Sequence, residues 1–464
     1  MLHVDPSLGS QELLPVDPSY RWYKELNRYH WFVLIVAALG WLFDCLDQQL
    51  FILARQPAMR DLLPKVDDPQ KFKVMVDSYS MYATSIFLTG WATGGLVFGV
   101  LGDRIGRAKT MMITILMYSA FTGLSALSVG FWDFATYRFL TGLGVGGEFA
   151  VGVSLVAEVM PERARTYCLS TLQALSAIGN ITAALLTGMM GELVEREVVT
   201  SVWRPLFVVG AVPALLCLVI RRRLKEPERW EHVSHEGAVA KQLGSYGALF
   251  SDPRWRRNAL VGLGLAFSGV VGLWAVGFYT MDLVGNVLQT RFTEAGMAPN
   301  VVTGRVTFWK MITSIMINGG AALGMLSFGW LSQRMGRKPV FAIAFLAAFV
   351  STATVFWFLN EFWQILVLVP IMGFCQLSLF GGYAIYFPEL FPTHLRSTGI
   401  SFCYNVGRFV AAIGPFGLAM LTSRVFQETS EPLRFAGLTM CSIFLFGLLI
   451  LPFAPETKGR PLPE

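Results

Sequence analysis

Two aspartates, one helical turn apart, stand inside an apolar segment of this sequence. Asp44 and Asp47 lie in a run from Trp31 to Leu53 that is long enough to cross a bilayer. A charged aspartate at the centre of a membrane helix costs about 2.5–3.5 kcal/mol on insertion scales, and positions i and i+3 share one helix face. We therefore expect this face to point into a polar cavity, where one aspartate takes up and releases a proton. The alternative is a structural pair that binds helix ends or stays ionised beside water.

Three further charged residues lie in apolar segments. Arg408 is expected to bind a substrate carboxylate through its planar guanidinium, or else to be a static partner for Glu148 or an aspartate. Arg138 either couples to Asp44 or Asp47 or extends to the membrane interface. Glu148 lies deeper in the same segment and is a second proton site, a contact for a cationic group, or half of a buried ion pair.

Amide and aromatic side chains in the apolar segments are the candidate walls of such a cavity. Each of them either contacts substrate or only packs between helices. The candidate substrate contacts are Arg408, Gln48, Gln173, Trp274, Tyr279, Asn318, Gln376, Tyr383, Tyr404 and Asn405.

The composition predicts the elements that position these residues. The 464 residues are 54% hydrophobic and only 15% charged, against about a quarter charged in soluble domains. The charges gather in short clusters between long apolar runs, which predicts an all-α integral membrane protein with twelve transmembrane helices. The predicted spans are 30–53, 74–101, 110–130, 134–159, 167–191, 203–221, 259–288, 307–331, 339–359, 362–387, 397–422 and 435–454.

The charge of the chain predicts topology and not nucleic-acid binding. The net charge is +6, and the excess of Lys and Arg falls on the loops that we assign to the cytoplasm. This assignment places both termini in the cytoplasm and the chain in the inner (plasma) membrane. We find no phosphate-binding loop, metal-ligand motif or nucleophile motif, so we expect no enzyme activity and no cofactor, with a proton as the coupling ion.

The sequence divides into two similar halves. A basic stretch that opens at Arg221 separates six spans from six, and two motifs recur at nearly the same distance along the chain: Gly99–Lys109 as Gly329–Lys338, and Glu158–Arg165 as Glu389–Arg396. Such a repeat implies two six-helix bundles with a site between them near mid-membrane. The predicted segments are a cytoplasmic N-terminal segment (1–29), a first bundle (30–221), a cytoplasmic linker (222–258), a second bundle (259–454) and a cytoplasmic tail (455–464).

The repeated motif carries a family resemblance. Gly99–Arg107 matches Gly-x-Leu-x-Asp-Arg-x-Gly-Arg, and from residue 30 onward the chain resembles the major facilitator superfamily of secondary transporters. The resemblance implies a conformational latch in which Asp103 takes the N-terminal end of a helix of the second bundle. The alternative is a set of ordinary loop charges. The residues assigned to this gate are Asp103, Arg104, Arg107, Glu158, Arg165, Arg337, Glu389 and Arg396.

Within that family, the chain is similar to the aromatic-acid/proton symporters and related metabolite/proton symporters. These share the Asp-x-x-Asp pair, the Arg-Phe-Leu-Thr-Gly-Leu-Gly-x-Gly-Gly segment at Arg138–Gly147, and a Gly-Arg followed by a Gly-Pro, as at Gly407–Arg408 and Gly414–Pro415. A glutamate directly after these glycines, as at Glu148, resembles the niacin and osmolyte branches more than the aromatic-acid branch. The tail at 455–460 resembles the sugar porters, but the Gln-Gln pair of their seventh span is missing from 267–279.

Together these observations predict proton-coupled import of a small organic acid or related metabolite by alternating access. One alternative is a proton-coupled sugar or polyol porter, and another is a nutrient sensor of the same fold that transports nothing. Export by proton antiport would use the same carboxylates. The expected partners are a small-molecule substrate and the lipid bilayer, with no nucleic acid, and we expect a monomer.

Overall fold

A computed structural model describes residues 21–195, 203–235, 242–273, 280–411, 420–429 and 431–463. All the regular secondary structure in these residues is helical. The described part of the first half contains eight α-helices. They are α1 (Arg28–Leu62), α2 (Pro69–Ile105), α3 (Arg107–Ser125), α4 (Phe131–Val159), α5 (Glu162–Ala174), α6 (Ser176–Glu195), α7 (Trp203–Val209) and α8 (Leu216–Arg223).

Among the described residues, two short α-helices follow in the linker and eight more α-helices lie in the second half. The linker helices are α9 (Glu228–His235) and α10 (Tyr246–Ser251). The second half consists of α11 (Pro253–Val271), α12 (Thr280–Glu294), α13 (Pro299–Met335), α14 (Arg337–Phe358), α15 (Phe362–Tyr386), α16 (Arg396–Ala411), α17 (Pro432–Cys441) and α18 (Ile443–Ile450).

Eight helical segments among the described residues are long and apolar enough to cross a membrane. The surface agrees with this, because large apolar side chains such as Leu116, Trp132, Leu323 and Trp363 are exposed. Apolar side chains that face outward along long helices are typical of contact with lipid. The prediction of an all-α membrane fold is confirmed.

The same sharp corner occurs at equivalent points of the two halves. Gly106 separates α2 from α3 with φ of 110°, and Gly336 separates α13 from α14 with φ of 98°. Residues with a Cβ rarely adopt such φ values, so glycine lets two long helices meet with almost no connecting loop. The repeated glycine of the sequence motif is therefore a backbone requirement of the fold.

Helix α11 begins earlier than the apolar pattern predicts. It starts at Pro253, inside the linker predicted over 222–258, because Asp252 accepts a hydrogen bond from the backbone N–H of Arg254 at 2.7 Å. An aspartate cap followed by a proline starts a helix without any apolar residue. Apart from the half-buried Trp255, the first turn is charged and exposed, so hydrophobicity alone does not predict it.

Several pairs of helices join the halves, and two of them pack most extensively. Helix α2 packs on α16, and α5 packs on α13. Glycines allow the close approach, because a Cβ at Gly99 would clash with Ser401 and a Cβ at Gly329 would clash with Ser170. The linker helices lie beside this junction: Trp230 of α9 donates to the carbonyl of Asp103 at 2.6 Å. We call this side of the molecule, which carries Asp103, Glu158 and Arg396, the linker face.

Candidate functional site

The two aspartates of α1 have different surroundings. Asp47 is fully buried; it accepts a hydrogen bond from Thr122 at 2.6 Å and lies 3.7 Å from the guanidinium of Arg138. Arg138 is itself held by Ser125 and Thr141 and lies over the ring of Phe207. Asp47 and Arg138 therefore form a compensated ion pair within the first half.

Asp44 forms no ion pair among the described residues. Its side chain is 1% exposed, and its Oδ1 has no hydrogen-bond partner. It interacts electrostatically with Glu148, Asp47 and Arg408. Glu148 is also buried and accepts a hydrogen bond from Thr114 at 2.9 Å, while its Oε1 has no partner. A buried carboxylate without partners is costly, so Asp44 and Glu148 are the groups most open to a proton or a ligand.

Arg408 comes from the other half and faces these carboxylates. Its guanidinium lies between two rings, 3.9 Å from the ring centre of Trp91 and 4.3 Å from that of Tyr404. Its Nη1 donates to Asn405 at 2.6 Å, and its Nε has no partner. Stacking between rings fixes the plane of a guanidinium and leaves its edge available for a planar carboxylate.

The structure brings only some of the predicted substrate contacts to this centre. Tyr404 and Asn405 touch Arg408, and Gln173 is buried with an unpartnered Oε1. Asn318 accepts from Asn180 at 2.8 Å, which joins α6 to α13. Gln48 is half-buried on α1.

Two predicted contacts are engaged within the second half instead. Gln376 donates to Thr352 at 2.6 Å, so it ties α15 to α14. Tyr383 donates to the carbonyl of Leu265 at 2.7 Å, which ties α15 to α11. Trp274 and Tyr279 lie outside the described residues, as do Gly414 and Pro415.

Trp91 and Phe149 are aromatic residues of the centre that the sequence does not single out. Trp91 covers one face of Arg408, and Phe149 stacks on Tyr404 with ring centres 4.3 Å apart. Both lie on glycine-rich helices whose aromatic residues all look alike in sequence. Their roles depend on how the two halves pack together, which a local sequence pattern does not predict.

The second group of charges is at the linker face, where Asp103 crosses between the halves. Its Oδ1 accepts from the backbone N–H of Ser397 at 3.1 Å, and its Oδ2 accepts from the N–H and hydroxyl of Thr398 at 2.8 and 2.6 Å. Ser397 and Thr398 form the first turn of α16, where N–H groups have no partner within the helix. Asp103 therefore caps a helix of the opposite half and complements its dipole.

Glu158 joins the halves a second time. Its Oε1 accepts from Arg107 at 3.0 Å and from Arg396 of the second half at 2.6 Å. Arg107 also lies 3.1 Å from Asp103 and donates to the carbonyl of Thr393 at 2.7 Å. These side chains are buried, so their ion pairs are weakly screened and depend on one another.

The second copy of the motif bonds differently. Arg337 pairs with Glu389 of its own half at 2.7 Å. Among the described residues, it reaches the first half through the hydroxyl of Thr166, at 3.0 Å. Arg165 is buried but forms no ion pair among the described residues. Arg104 is exposed and donates to the carbonyl of Leu243 in the linker at 3.2 Å.

Two glutamates of the linker face were not predicted. Glu226 accepts from the N–H groups of Ala108 and Lys109 at the start of α3, and Glu456 accepts from those of Arg337 and Lys338 at the start of α14. The internal repeat could have predicted them, because each glutamate follows the last apolar helix of its half and is adjacent to a proline.

The charge of Glu456 is stabilised where it lies. Burial raises the pKa of the Glu456 carboxyl, but backbone N–H groups of Arg337, Lys338, Lys458 and Thr457 donate to it and outweigh burial. The result is a pKa below the ordinary value of 4.5. Glu456 is therefore an ionised anchor that holds the tail against α14.

The chain is similar to known transporters in sequence and in fold. The family model described as Major Facilitator Superfamily matches residues 37–309 and 307–464. A putative metabolite transport protein of Haemophilus influenzae is 28% identical over 448 residues, which cover 94% of this chain and 99% of that protein.

A cis,cis-muconate transport protein of Acinetobacter baylyi is 30% identical over 347 residues, which cover 73% of this chain and 77% of that protein. Among solved structures, the proton:xylose symporter XylE superposes with a TM-score of 0.72 at 17% identity, over 94% of this chain and 98% of that one. At this identity the superposition shows a shared fold.

Proposed function

The chain belongs to the Major Facilitator Superfamily, and from that premise we propose that it carries a small organic acid across the membrane together with a proton. It is a multi-pass membrane transporter of small molecules and not an enzyme, as its sequence predicts. The observation that supports an organic acid is Arg408, a buried guanidinium between two rings and beside a carboxylate without an ion pair.

The pair of charges explains how proton and substrate would be coupled. When Asp44 is ionised, its charge partly compensates that of Arg408, and a substrate carboxylate has to compete with it. When Asp44 is protonated, Arg408 loses that compensation and attracts the substrate anion more strongly. The proton and the anion therefore favour each other at the centre, which is the requirement for symport.

The rings beside Arg408 suit an acid with an unsaturated or aromatic body. Trp91, Tyr404 and Phe149 provide flat apolar surfaces around the guanidinium. The muconate carried by the Acinetobacter baylyi relative has this chemistry: a planar carbon chain with carboxylates. We assign the same class of substrate to this chain.

Alternating access would use the linker face as one gate. The contacts of Asp103 and Glu158 hold that face closed in this structure, and they must break for the centre to open there. We place the linker face in the cytoplasm, because the arginine-rich start of the linker lies on this face and basic loops are enriched on the cytoplasmic side. The proposal includes the inner membrane, a monomer, no nucleic-acid partner, and a proton as the coupling ion without another cofactor.

The test is uptake into liposomes under an inward proton gradient. Labelled aromatic and aliphatic carboxylates, zwitterions and sugars are offered to the wild type and to Asp44→Asn. We expect a carboxylate to accumulate above its outside concentration in the wild type. Asp44→Asn should lose accumulation and keep exchange of labelled for unlabelled acid, because the binding site remains.

The matched control is Asp47→Asn, one turn away. This change leaves the buried Arg138 without its ion-pair partner, although Ser125 and Thr141 still bind it, so we expect less folded protein and no selective loss of accumulation. Uptake of sugars alone would favour the sugar or polyol porter. Binding without any flux would favour the sensor. Equal loss of accumulation in both variants would contradict the assignment of the proton to Asp44.

A further inference from the structure

A cavity on the linker face lies away from the central site. Its volume is about 840 Å³, and it is formed by the start of α11, the short turn after α15, and the tail. Its lining includes Arg254 and Arg257 from α11, Arg460 from the tail, and the polar side chains of Asn258 and Thr457. This volume accommodates a polar metabolite or a lipid headgroup.

The charge of the cavity is strongly positive. Arg254, Arg257 and Arg460 are exposed and form no ion pair within the described part of the chain. Arg257 donates to the backbone carbonyl of Phe453, at 3.2 Å. The one carboxylate in the lining, Glu389, is already engaged by Arg337 and by the hydroxyl of Thr457.

The tail that closes the cavity also reaches the gate. The Pro455 carbonyl accepts from Tyr386 at 2.7 Å, and the Pro463 carbonyl accepts from Arg396 at 2.9 Å. Arg396 is the residue that binds Glu158 across the two halves. A ligand that bridged α11 to Arg460 would therefore fix the tail in the position that supports Arg396.

We propose that this cavity binds a phosphate group and that its occupation stabilises the closed linker face. Three guanidinium groups in one cavity match the several oxygens of a phosphate, to which arginine donates paired hydrogen bonds. The phosphate belongs either to a soluble anion or to the headgroup of an anionic lipid. The site regulates the protein whatever substrate the centre carries.

The first measurement is equilibrium binding of labelled inorganic phosphate to the intact protein in neutral detergent. We expect saturable binding that is about tenfold weaker in Arg254→Gln, Arg257→Gln and Arg460→Gln, as for the loss of one charge-assisted hydrogen bond. The matched control is Arg256→Gln, which removes the same charge from the same helix outside the cavity. Melting temperatures establish that all four variants are folded.

The second measurement is hydrogen exchange of residues 455–463 in nanodiscs of phosphatidylcholine with or without phosphatidic acid. Slower exchange with phosphatidic acid, lost in the cavity variants and kept in Arg256→Gln, would assign the phosphate to a lipid, with or without phosphate binding in detergent. Phosphate binding that slows tail exchange in the same variant-dependent way would assign it to a soluble anion.

Three results would overturn the proposal: neither phosphate nor phosphatidic acid has an effect, binding leaves tail exchange unchanged, or Arg256→Gln weakens binding as much as the cavity variants do. None of these measurements involves transport, so they stand or fail separately from the proposed symport.

Discussion

The first copy of the repeated motif forms ion pairs and a charged helix cap across the two halves, whereas the second copy forms its ion pair within one half. Asp103 caps α16 of the other half, and Glu158 binds Arg396 of the other half. At the position equivalent to Asp103 the second copy has Gln333, and Glu389 binds Arg337 beside it. The closed linker face therefore depends mainly on the first copy.

The reason lies in where the partner helices begin. Helix α16 begins at Arg396, so the N–H groups of Ser397 and Thr398 are in its first turn and need an outside acceptor. Helix α5 begins at Glu162, so the equivalent Thr166 and Tyr167 lie in its second turn, where N–H groups bond within the helix. A carboxylate opposite Thr166 and Tyr167 of α5 would therefore find no free backbone N–H groups there from which to accept hydrogen bonds.

One assay reads the state of this face in every variant. Ser401 is buried where α16 packs on Gly99. In a background without the six native cysteines, Ser401→Cys should react with a maleimide only when the linker face opens. The rate of labelling then follows the open fraction.

The largest effect is expected for Asp103→Asn. An amide has only one acceptor oxygen, so at least one N–H of α16 loses its partner. The buried Arg107 also loses one of its two carboxylate partners and keeps Glu158. We expect the closed state to lose about 3 kcal/mol, which is on the order of a hundredfold in the ratio of closed to open molecules. Labelling should rise accordingly and net transport should fall. Gln333→Asn, the matched change in the second copy, should leave both unchanged.

Arg396→Gln should come second. It removes one of the two arginines on Glu158 and the support of Pro463, while Arg107 stays in place. The expected loss is about 2 kcal/mol, as for a hydrogen bond to a charged group. Arg165→Gln, its equivalent in the other copy, should change the free energy of closure by less than about 0.5 kcal/mol, because Arg165 forms no ion pair among the described residues. Equal effects of the two changes would contradict the asymmetry.

The two copies of the motif are alike in one respect: a glutamate, Glu226 or Glu456, caps the helix that follows the motif's glycine corner, α3 or α14. Glu226→Gln and Glu456→Gln should each lower stability by about 1 kcal/mol, as for loss of a helix cap, in thermal unfolding at pH 7. Because the pKa of Glu456 is lowered from 4.5, its contribution is complete above that pH and is lost as the pH falls through the lower value. The difference between wild type and Glu456→Gln should therefore disappear in acid. A difference that persisted at all pH values would mean that the ionised carboxylate is not the cap.

The sequence predicts the helices and the charged residues of this molecule far better than the partners of those residues. Long apolar runs and a repeated glycine corner determine the fold locally, and the cost of charges in such runs makes Asp44, Asp47, Glu148 and Arg408 stand out. Their pairing depends on packing between distant helices. Asp44 and Asp47 look equivalent in sequence, yet Arg138 reaches only Asp47, and Trp91 is identified only by its contact with Arg408. Gln376 is polar and intramembrane but binds Thr352 in its own half.

The smallest expected effect is also the sharpest test of the comparison. Gln333→Asp restores the acidic residue that the repeat lacks, and symmetry alone predicts a second latch and slower labelling at Ser401→Cys. The start of α5 predicts otherwise, because the amides of Thr166 and Tyr167 are already bonded and their helix dipole is a turn away. We therefore expect the free energy of closure to change by less than about 0.5 kcal/mol, as calculated from the rate of labelling. A clear slowing would show that motif symmetry, and not the position of the helix start, decides where the latch forms.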